Sequence, residues 1–402
     1  MTTHADTFRD RSVAIAHGNY VGRGGGERVT EELARTFDAP IYYGFGDEQY
    51  EPDDIECHSL FNDVFGGRLL KRVYQLRDAY YMYGWRSVPD LYSYDVIIQS
   101  GNEPGWYKPR EDQTVIKYTH STPRNAYDKY PARAPQAGLL YEAYTFATEQ
   151  LYQPVLSYPD LYVANSDVVR RRMRKYWGIP TDDIQIVYPP VETETLGADH
   201  AAATPVDEPY YLVLDRLEPT KNIDEIIDAF QAHPDKRLVI AGTGSEEDDL
   251  HSQARTLSNV TFRGFVAEAD KRALLAGAEA LVYAAEDEDF GIVPIEALAS
   301  GTPVVGPREG FTQYQIADGV TGMLYDRDDG GVESALTRFA DDGVSSTASE
   351  RESVAAQYSV DRFRAEMRAA VETALERTTL QPNVATPPET DTTGKPSHQQ
   401  RQ

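Results

Sequence analysis

The sequence predicts an α/β protein built from two doubly wound, Rossmann-like domains that face each other across a cleft. Three observations carry this. Short apolar runs alternate with amphipathic stretches through most of the 402 residues, the alternation restarts after one stretch that lacks periodicity, and most runs end in a small or polar residue. Strands alternating with helices imply a parallel sheet with crossover connections, and ligands collect at the carboxyl ends of such strands. At roughly 150 residues per domain the chain has room for two domains and an ample core.

The first series opens with the strand VAIAH (13–17), a glycine-rich turn and the helix GERVTEELARTF (26–37), followed by the strands DVIIQSG (95–101), TVIKYTH (114–120) and YVANS (162–166). ETETLGADHAAATPVDEP (192–209) has no apolar period and reads as a link between domains. The second series then runs through the strands YYLVLD (210–215), RLVIAGTG (237–244), VTFRGFV (260–266), ALVYAA (280–285) and TPVVG (302–306), with the helices NIDEIIDAFQAH (222–233), EEDDLHSQARTL (246–257), ADKRALLAGA (269–278) and PIEALAS (294–300) between them. The resulting division is 1–195 and 196–358 for the two domains, 359–378 for a final helix and 379–402 for a tail too polar to bury a core.

Composition excludes several classes. The single cysteine, Cys57, forbids an intrachain disulfide, and the eight histidines lack metal-ligand spacing, which suits a reducing compartment. The first residues carry acids and no long apolar stretch, and no 18-residue apolar run occurs, so neither secretion by a standard signal nor a membrane span is expected. A cytoplasmic location follows as an expectation. A net charge of −26 argues against nucleic acid, which needs clustered Lys and Arg. Only nine of the 39 basic residues are lysine, an acidic, Lys-poor balance expected of a halophilic protein whose self-repulsion is screened by salt. Residues 1–200 carry 21 bases and 29 acids against 18 and 36 in the remainder, so the first half is the less acidic.

The segment EDFGIVPIEALASGTPVV (288–305) places Glu288 and Glu296 eight apart, in a frame of strand, acidic loop, Phe-Gly, and a helix opening with Pro294 and closing at Gly301. With GGGER (24–28), ANS (164–166), YPPVE (188–192) and DRLEPTKN (215–222), it resembles the family 4 retaining glycosyltransferases of the GT-B fold. THSTPR (119–124) and the wording of 288–294 are most similar to the mannosyltransferase branch that builds cell-surface glycans.

The resemblance implies a hexosyltransferase that keeps the anomeric configuration, with a nucleotide sugar, GDP-mannose as the leading candidate, on the second domain. The acceptor, a glycan or lipid-linked saccharide, is expected on the first. It also implies front-face attack, in which the leaving phosphate takes the acceptor's proton. Arg216 and Lys221 would meet the departing diphosphate, bracketing the start of a helix whose N-terminal dipole adds positive potential. Gly24, Gly25 and Gly26 permit close backbone approach and positive φ, which suits a diphosphate cradle as well as a plain tight turn. Glu296 would accept hydrogen bonds from ribose hydroxyls and Glu288 would contact the donor sugar, with the amides of Phe290, Gly291 and Ile292 pointing at sugar or phosphate. His120, at a strand end, matches the family histidine near the reacting sugar, and Arg124 is assigned to the acceptor, with a salt bridge as the alternative. AspGluAsp (287–289) imitates an Asp-x-Asp metal site but falls in the second domain inside the glutamate frame, so no metal and no cofactor are expected.

One stretch stands apart from this. Residues 66–86 hold five basic residues against one acid, with Tyr74, Tyr80, Tyr81, Tyr83 and Trp85 interleaved, a pattern that suits an anionic membrane surface through Lys71, Arg72 and Arg77, or a core helix with inward tyrosines. Arg170, Arg171, Arg172, Arg174 and Lys175 form a second basic cluster in the same domain. A nucleotide-sugar epimerase of the same fold and a non-catalytic nucleotide-sugar-binding subunit are the alternative functions.

Overall fold

A computed structural model describes residues 11–22, 24–64, 67, 70, 74–124, 127 and 138–380. The first sheet has seven parallel strands, β1 (Val13–Tyr20), β2 (Ile41–Gly46), β3 (Cys57–Ser59), β4 (Val96–Ser100), β5 (Thr114–Thr119), β6 (Leu161–Ala164) and β7 (Ile184–Ile186), in the order β3-β2-β1-β4-β5-β6-β7. The second has six, β8 (Tyr211–Leu214), β9 (Leu238–Ala241), β10 (Val260–Gly264), β11 (Ala280–Val282), β12 (Val304–Pro307) and β13 (Gly322–Tyr325), in the order β10-β9-β8-β11-β12-β13. The near-continuous apolar runs are explained by burial on both faces: Val96, Ile97 and Ile98 have no exposed surface, nor do Leu238, Ile240 and Ala241. Strands β2, β3, β7 and β13 lie outside the runs read from the sequence, and β3 and β7 are three-residue edge strands too short to show a period.

In each sheet the strand order reverses beside the first strand, between β1 and β4 and between β8 and β11. Both switch points open a crevice at the carboxyl ends of the strands, where doubly wound sheets bind ligands.

The final helix, Val360–Leu380, corrects the four-part division of the chain. It is not a separate appendage: Phe363, Met367, Ala370, Val371 and Ala374 pack into the first domain's core with Ile15, Ile98, Ile116 and Val163. Arg377 pairs with Asp183 at 3.1 Å and Arg364 with Glu32 at 2.5 Å. The chain enters and leaves the second domain side by side, with the Val191 amide donating to the Tyr358 carbonyl at 2.9 Å. Residues 381–402, nearly all of the expected tail, lie outside the described residues. Among the described residues no helix is long and apolar enough to cross a membrane.

Candidate functional site

The second-domain half of the crevice is built on the turn after β8. Asp215 ends the strand run, Pro219–Lys221 forms a short 3-10 turn, and Asn222, left-handed at φ 47°, starts the helix Ile223–Ala232. This brings the Lys221 Nζ to 2.8 Å from Glu288 Oε2 and 3.1 Å from Asp215 Oδ2, and the Tyr283 hydroxyl donates to the same Glu288 oxygen at 3.0 Å. Burial opposes the charges, yet the two carboxylates raise the pKa of Lys221, and Lys221 with Tyr283 holds the Glu288 carboxyl below its usual range. Burial instead raises the pKa of Asp215. Lys221 and Glu288 are therefore both ionised, and the lysine is already neutralised by acids. Arg216, exposed on the same turn, makes no side-chain bond among the described residues. The loop after β9 lies directly on this turn. A Cβ on Gly242 would come within 1.8 Å of the Asp215 carbonyl, and one on Gly244 within 2.2 Å of that of Leu217. Those glycines did not stand out in the sequence, although TG pairs at a strand end carry the signal.

Glu296 lies on the eight-residue helix Ile292–Ala299 and is 5% exposed. Its Oε1 accepts from Lys271 Nζ at 2.9 Å and from Arg28 at 3.0 Å, the latter reaching across from the first domain. Gly291, at φ 75°, precedes the helix, and the Gln315 amide donates to the carbonyls of Phe290 and Gly291 at 2.8 and 2.9 Å. The Phe290 ring is core, stacked on Phe311 with centroids 5.4 Å apart, so only its backbone can serve a ligand. Opposite this helix stands the glycine loop: a Cβ on Gly25 would lie 3.0 Å from Ile292 Cδ1. Close approach is thus what the glycines provide. Positive φ is not, because none of Gly24, Gly25 and Gly26 adopts it and Gly24 sits at φ −114°.

In the first domain, His120 Nε2 lies 2.8 Å from the Ser100 hydroxyl, and that hydroxyl lies 2.8 Å from the Thr30 hydroxyl. Thr30 meets His17 Nδ1 at 3.0 Å and donates to the Gly26 carbonyl at 2.9 Å. His120 is therefore tied to the glycine loop through two hydroxyls, and Thr30, Ser100 and His17 are additions that lone hydroxyls in a sequence do not announce. Burial pulls the His120 pKa down to about 3, so its imidazole is neutral and serves as a hydrogen-bonding group.

At the seam between the domains Arg124 takes the salt-bridge alternative: it donates to the Asp287 carbonyl at 2.8 Å and to Asp287 Oδ2 at 2.9 Å. The second basic cluster is divided: Arg171, Arg174 and Lys175 are exposed and Arg170 is half-buried, whereas Arg172 is buried at the seam. The Arg172 side chain is 9% exposed, donates to Asp287 Oδ2 at 2.6 Å and pairs with Asp289, while Arg171 donates to the Tyr314 hydroxyl at 3.1 Å. The Ser166 hydroxyl donates to the Asp289 carbonyl at 2.6 Å. Burial, partly offset by the two arginines, pushes the Asp289 pKa up to about 6. The carboxylates of Asp287 and Asp289 are thus turned toward guanidinium groups.

Lys71 and Arg72 lie outside the described residues. Arg77 is half-buried on the helix Tyr74–Gly84, which is anchored by Tyr81, 1% exposed, whose hydroxyl donates to the Gly18 carbonyl at 3.2 Å and accepts from the Phe45 amide. Leu76 and Tyr83, seven apart, are 45% and 78% exposed on the same helix.

Comparison with known proteins adds to this geometry. Residues 198–351 match the family model described as glycosyl transferases group 1. The match spans the second domain, with Arg216, Lys221, Glu288 and Glu296 inside it, and leaves the first domain outside. The chain is 26% identical to the alpha-1,3/1,6-mannosyltransferase ALG2 of Kluyveromyces lactis over 368 residues, covering 76% of this chain and 72% of that protein. It is 30% identical to the D-inositol 3-phosphate glycosyltransferase of Mycobacterium tuberculosis, over 43% of this chain and 39% of that enzyme. Among solved structures, HepE of Anabaena in complex with UDP superposes with a TM-score of 0.67 at 19% identity, covering 90% of this chain and all of that one. The fold is GT-B.

Proposed function

We propose that this protein is a glycosyltransferase that moves a hexose from a nucleotide sugar, held mainly by the second domain, to a saccharide or lipid-linked saccharide held mainly by the first. The observation that carries this reading is the crevice itself. An exposed Arg216, the Lys221–Glu288 pair, the buried Glu296 and the Gly291–Ile292 helix start converge opposite a glycine loop and a neutral His120, within a domain similar to glycosyl transferases group 1.

The roles follow from the chemistry. As the bond to the sugar breaks, negative charge develops on the diphosphate, and Arg216 with the helix amides meets it where it forms. Lys221, drawn toward the phosphate, leaves Glu288 free to accept hydrogen bonds from sugar hydroxyls. Glu296 accepts from the ribose, replacing Arg28 as partner. With retention, the new bond forms on the face from which the phosphate leaves, and a phosphate oxygen takes the acceptor's proton. Closure of the first domain over the site excludes water and limits donor hydrolysis. Asp287 and Asp289 are paired with arginines, so the diphosphate is stabilised here by cationic side chains with no metal required. Similarity to ALG2 favours mannose and therefore GDP-mannose as donor. Residues 66–86, with Leu76 and Tyr83 exposed, support peripheral contact with an anionic membrane carrying the acceptor.

Calorimetric titration tests the reading. GDP, UDP and their mannose, glucose and N-acetylglucosamine conjugates are titrated in high salt without added metal, using the native protein, Arg216→Ala and Glu296→Gln. Tight binding of one nucleotide, weakened about tenfold or more by each substitution, is expected, since hydrogen bonds to charged groups contribute about 1.5–3 kcal/mol. Folded protein that binds none of them refutes the proposal.

A further inference from the structure

The run GluAspGluAsp (286–289) is held from two sides. Glu288 points into the second domain, to Lys221 and Tyr283, while its neighbours Asp287 and Asp289 point the other way, to Arg124 and Arg172 of the first domain. Beneath the loop, Gly310 at φ +55° allows the backbone to pass, where a Cβ would lie 2.4 Å from the Glu288 amide nitrogen, and the Phe311 amide donates to the Glu288 carbonyl at 2.8 Å. Asp287 itself is left-handed at φ 47°, a conformation that aspartate and asparagine adopt more readily than other non-glycine residues. Its polar groups are taken up by the first domain: both guanidinium groups reach its carboxylate, and Arg124 also binds its carbonyl.

We propose that Arg172, with Arg124 beside it, is a positioning residue for Glu288, clamping the acidic loop across the cleft so that the Glu288 carboxylate is oriented for the donor sugar only when the domains are closed. This rests on the glycosyltransferase reading and extends it. Opening the cleft would withdraw both arginines and Ser166 together, exposing Asp287 and Asp289 to water and releasing the loop from the first domain. A buried ion pair of this kind contributes little net stability, but it specifies one geometry. Cleft closure and the orientation of the sugar-facing carboxylate thereby become one event, and donor bound to the open form is spared hydrolysis.

The test compares the native protein with Arg172→Gln, Arg172→Lys and Asp289→Asn. The readouts are kcat and KM for transfer, calorimetric Kd for GDP and UDP, and the radius of gyration from small-angle scattering. Arg172→Gln should lower kcat about 100-fold, the loss expected when a catalytic group is misplaced by about 1 Å, with nucleotide Kd changed by less than about threefold. It should also enlarge the radius of gyration, and Arg172→Lys, which keeps the charge without the fork, should fall between it and the native protein. A kcat within about threefold of native, or a loss of nucleotide affinity parallel to the loss of kcat, overturns the proposal. Should Arg172→Gln fail to fold, the near-isosteric Asp289→Asn carries the same expectations. If the native protein transfers no sugar, the functional reading fails, while scattering still decides the clamp: an unchanged radius of gyration in Arg172→Gln overturns it.

Discussion

Lys117→Met should stabilise the first domain. The side chain lies on β5, 1% exposed, with its Nζ 2.7 Å from the Gly101 carbonyl, 5.9 Å from the centre of the Tyr152 ring, and no carboxylate within ion-pair distance among the described residues. Burial lowers its pKa from 10.5 to about 7, with only partial compensation from Glu103. A lysine whose folded-state pKa lies below its unfolded value costs stability in full below the folded pKa and nothing above the unfolded one. Stability therefore rises with pH from about 7 to 10.5. At about 1.4 kcal/mol per pKa unit, the cost near pH 7 is on the order of 4–5 kcal/mol. Methionine has similar length and removes that cost, but it forfeits a charged hydrogen bond worth about 1.5–3 kcal/mol, so the net gain is roughly 1–3 kcal/mol. Trp85, Trp106 and Trp177 are the protein's three tryptophans and all lie in the first domain, so urea unfolding followed by their fluorescence reports that domain. The gain should be clear at pH 7 and vanish by pH 10. A Met variant less stable than native at pH 7, or equally shifted at both pH values, refutes the reasoning.

Three further outcomes are expected. His120, held near pKa 3 against an ordinary 6.5, contributes stability that is complete above pH 6.5 and is lost as pH falls toward 3; relative to His120→Gln, the native protein should lose stability across that window, and an activity ionisation near pH 6.5 that disappears in the variant would contradict a neutral His120. Gly242→Ala, at φ 140° with its Cβ 1.8 Å from the Asp215 carbonyl, should push the β9 loop off the phosphate turn and weaken nucleotide binding about tenfold or more while the tryptophan transition stays put. Phe363→Ala should lower the first domain's stability by about 3–5 kcal/mol in the tryptophan signal, although residue 363 follows the second domain in sequence; an unmoved signal would mean the last helix is not part of that core.

Legibility followed the range of the interactions. The run LVIA of β9 and the loop-to-helix frame around Glu288 and Glu296 are local patterns, set by burial on both sheet faces and by helix start and stop rules; both appear in the structure, the helix starting at Ile292, two residues before the Pro294 start that was read. Arg172 was visible only as one base among five, because nothing in its neighbourhood says that Asp287, 115 residues later, will cover it. The acidic run imitated an Asp-x-Asp metal site, since charge alone does not state which side of a loop each carboxylate takes.

The amino-acid sequence by itself therefore determined two α/β units facing across a cleft and the loop-to-helix frame that carries Glu288 and Glu296, because helix and strand periods and capping act over a few residues. Tertiary structure alone decided that the last helix completes the first domain's core, that Lys117 is buried with no carboxylate at ion-pair distance among the described residues, and that Arg28, Arg124 and Arg172 bridge the two domains. Those facts depend on pairing groups as much as 268 residues apart, such as Arg28 with Glu296, and that choice is made by how two packed domains meet.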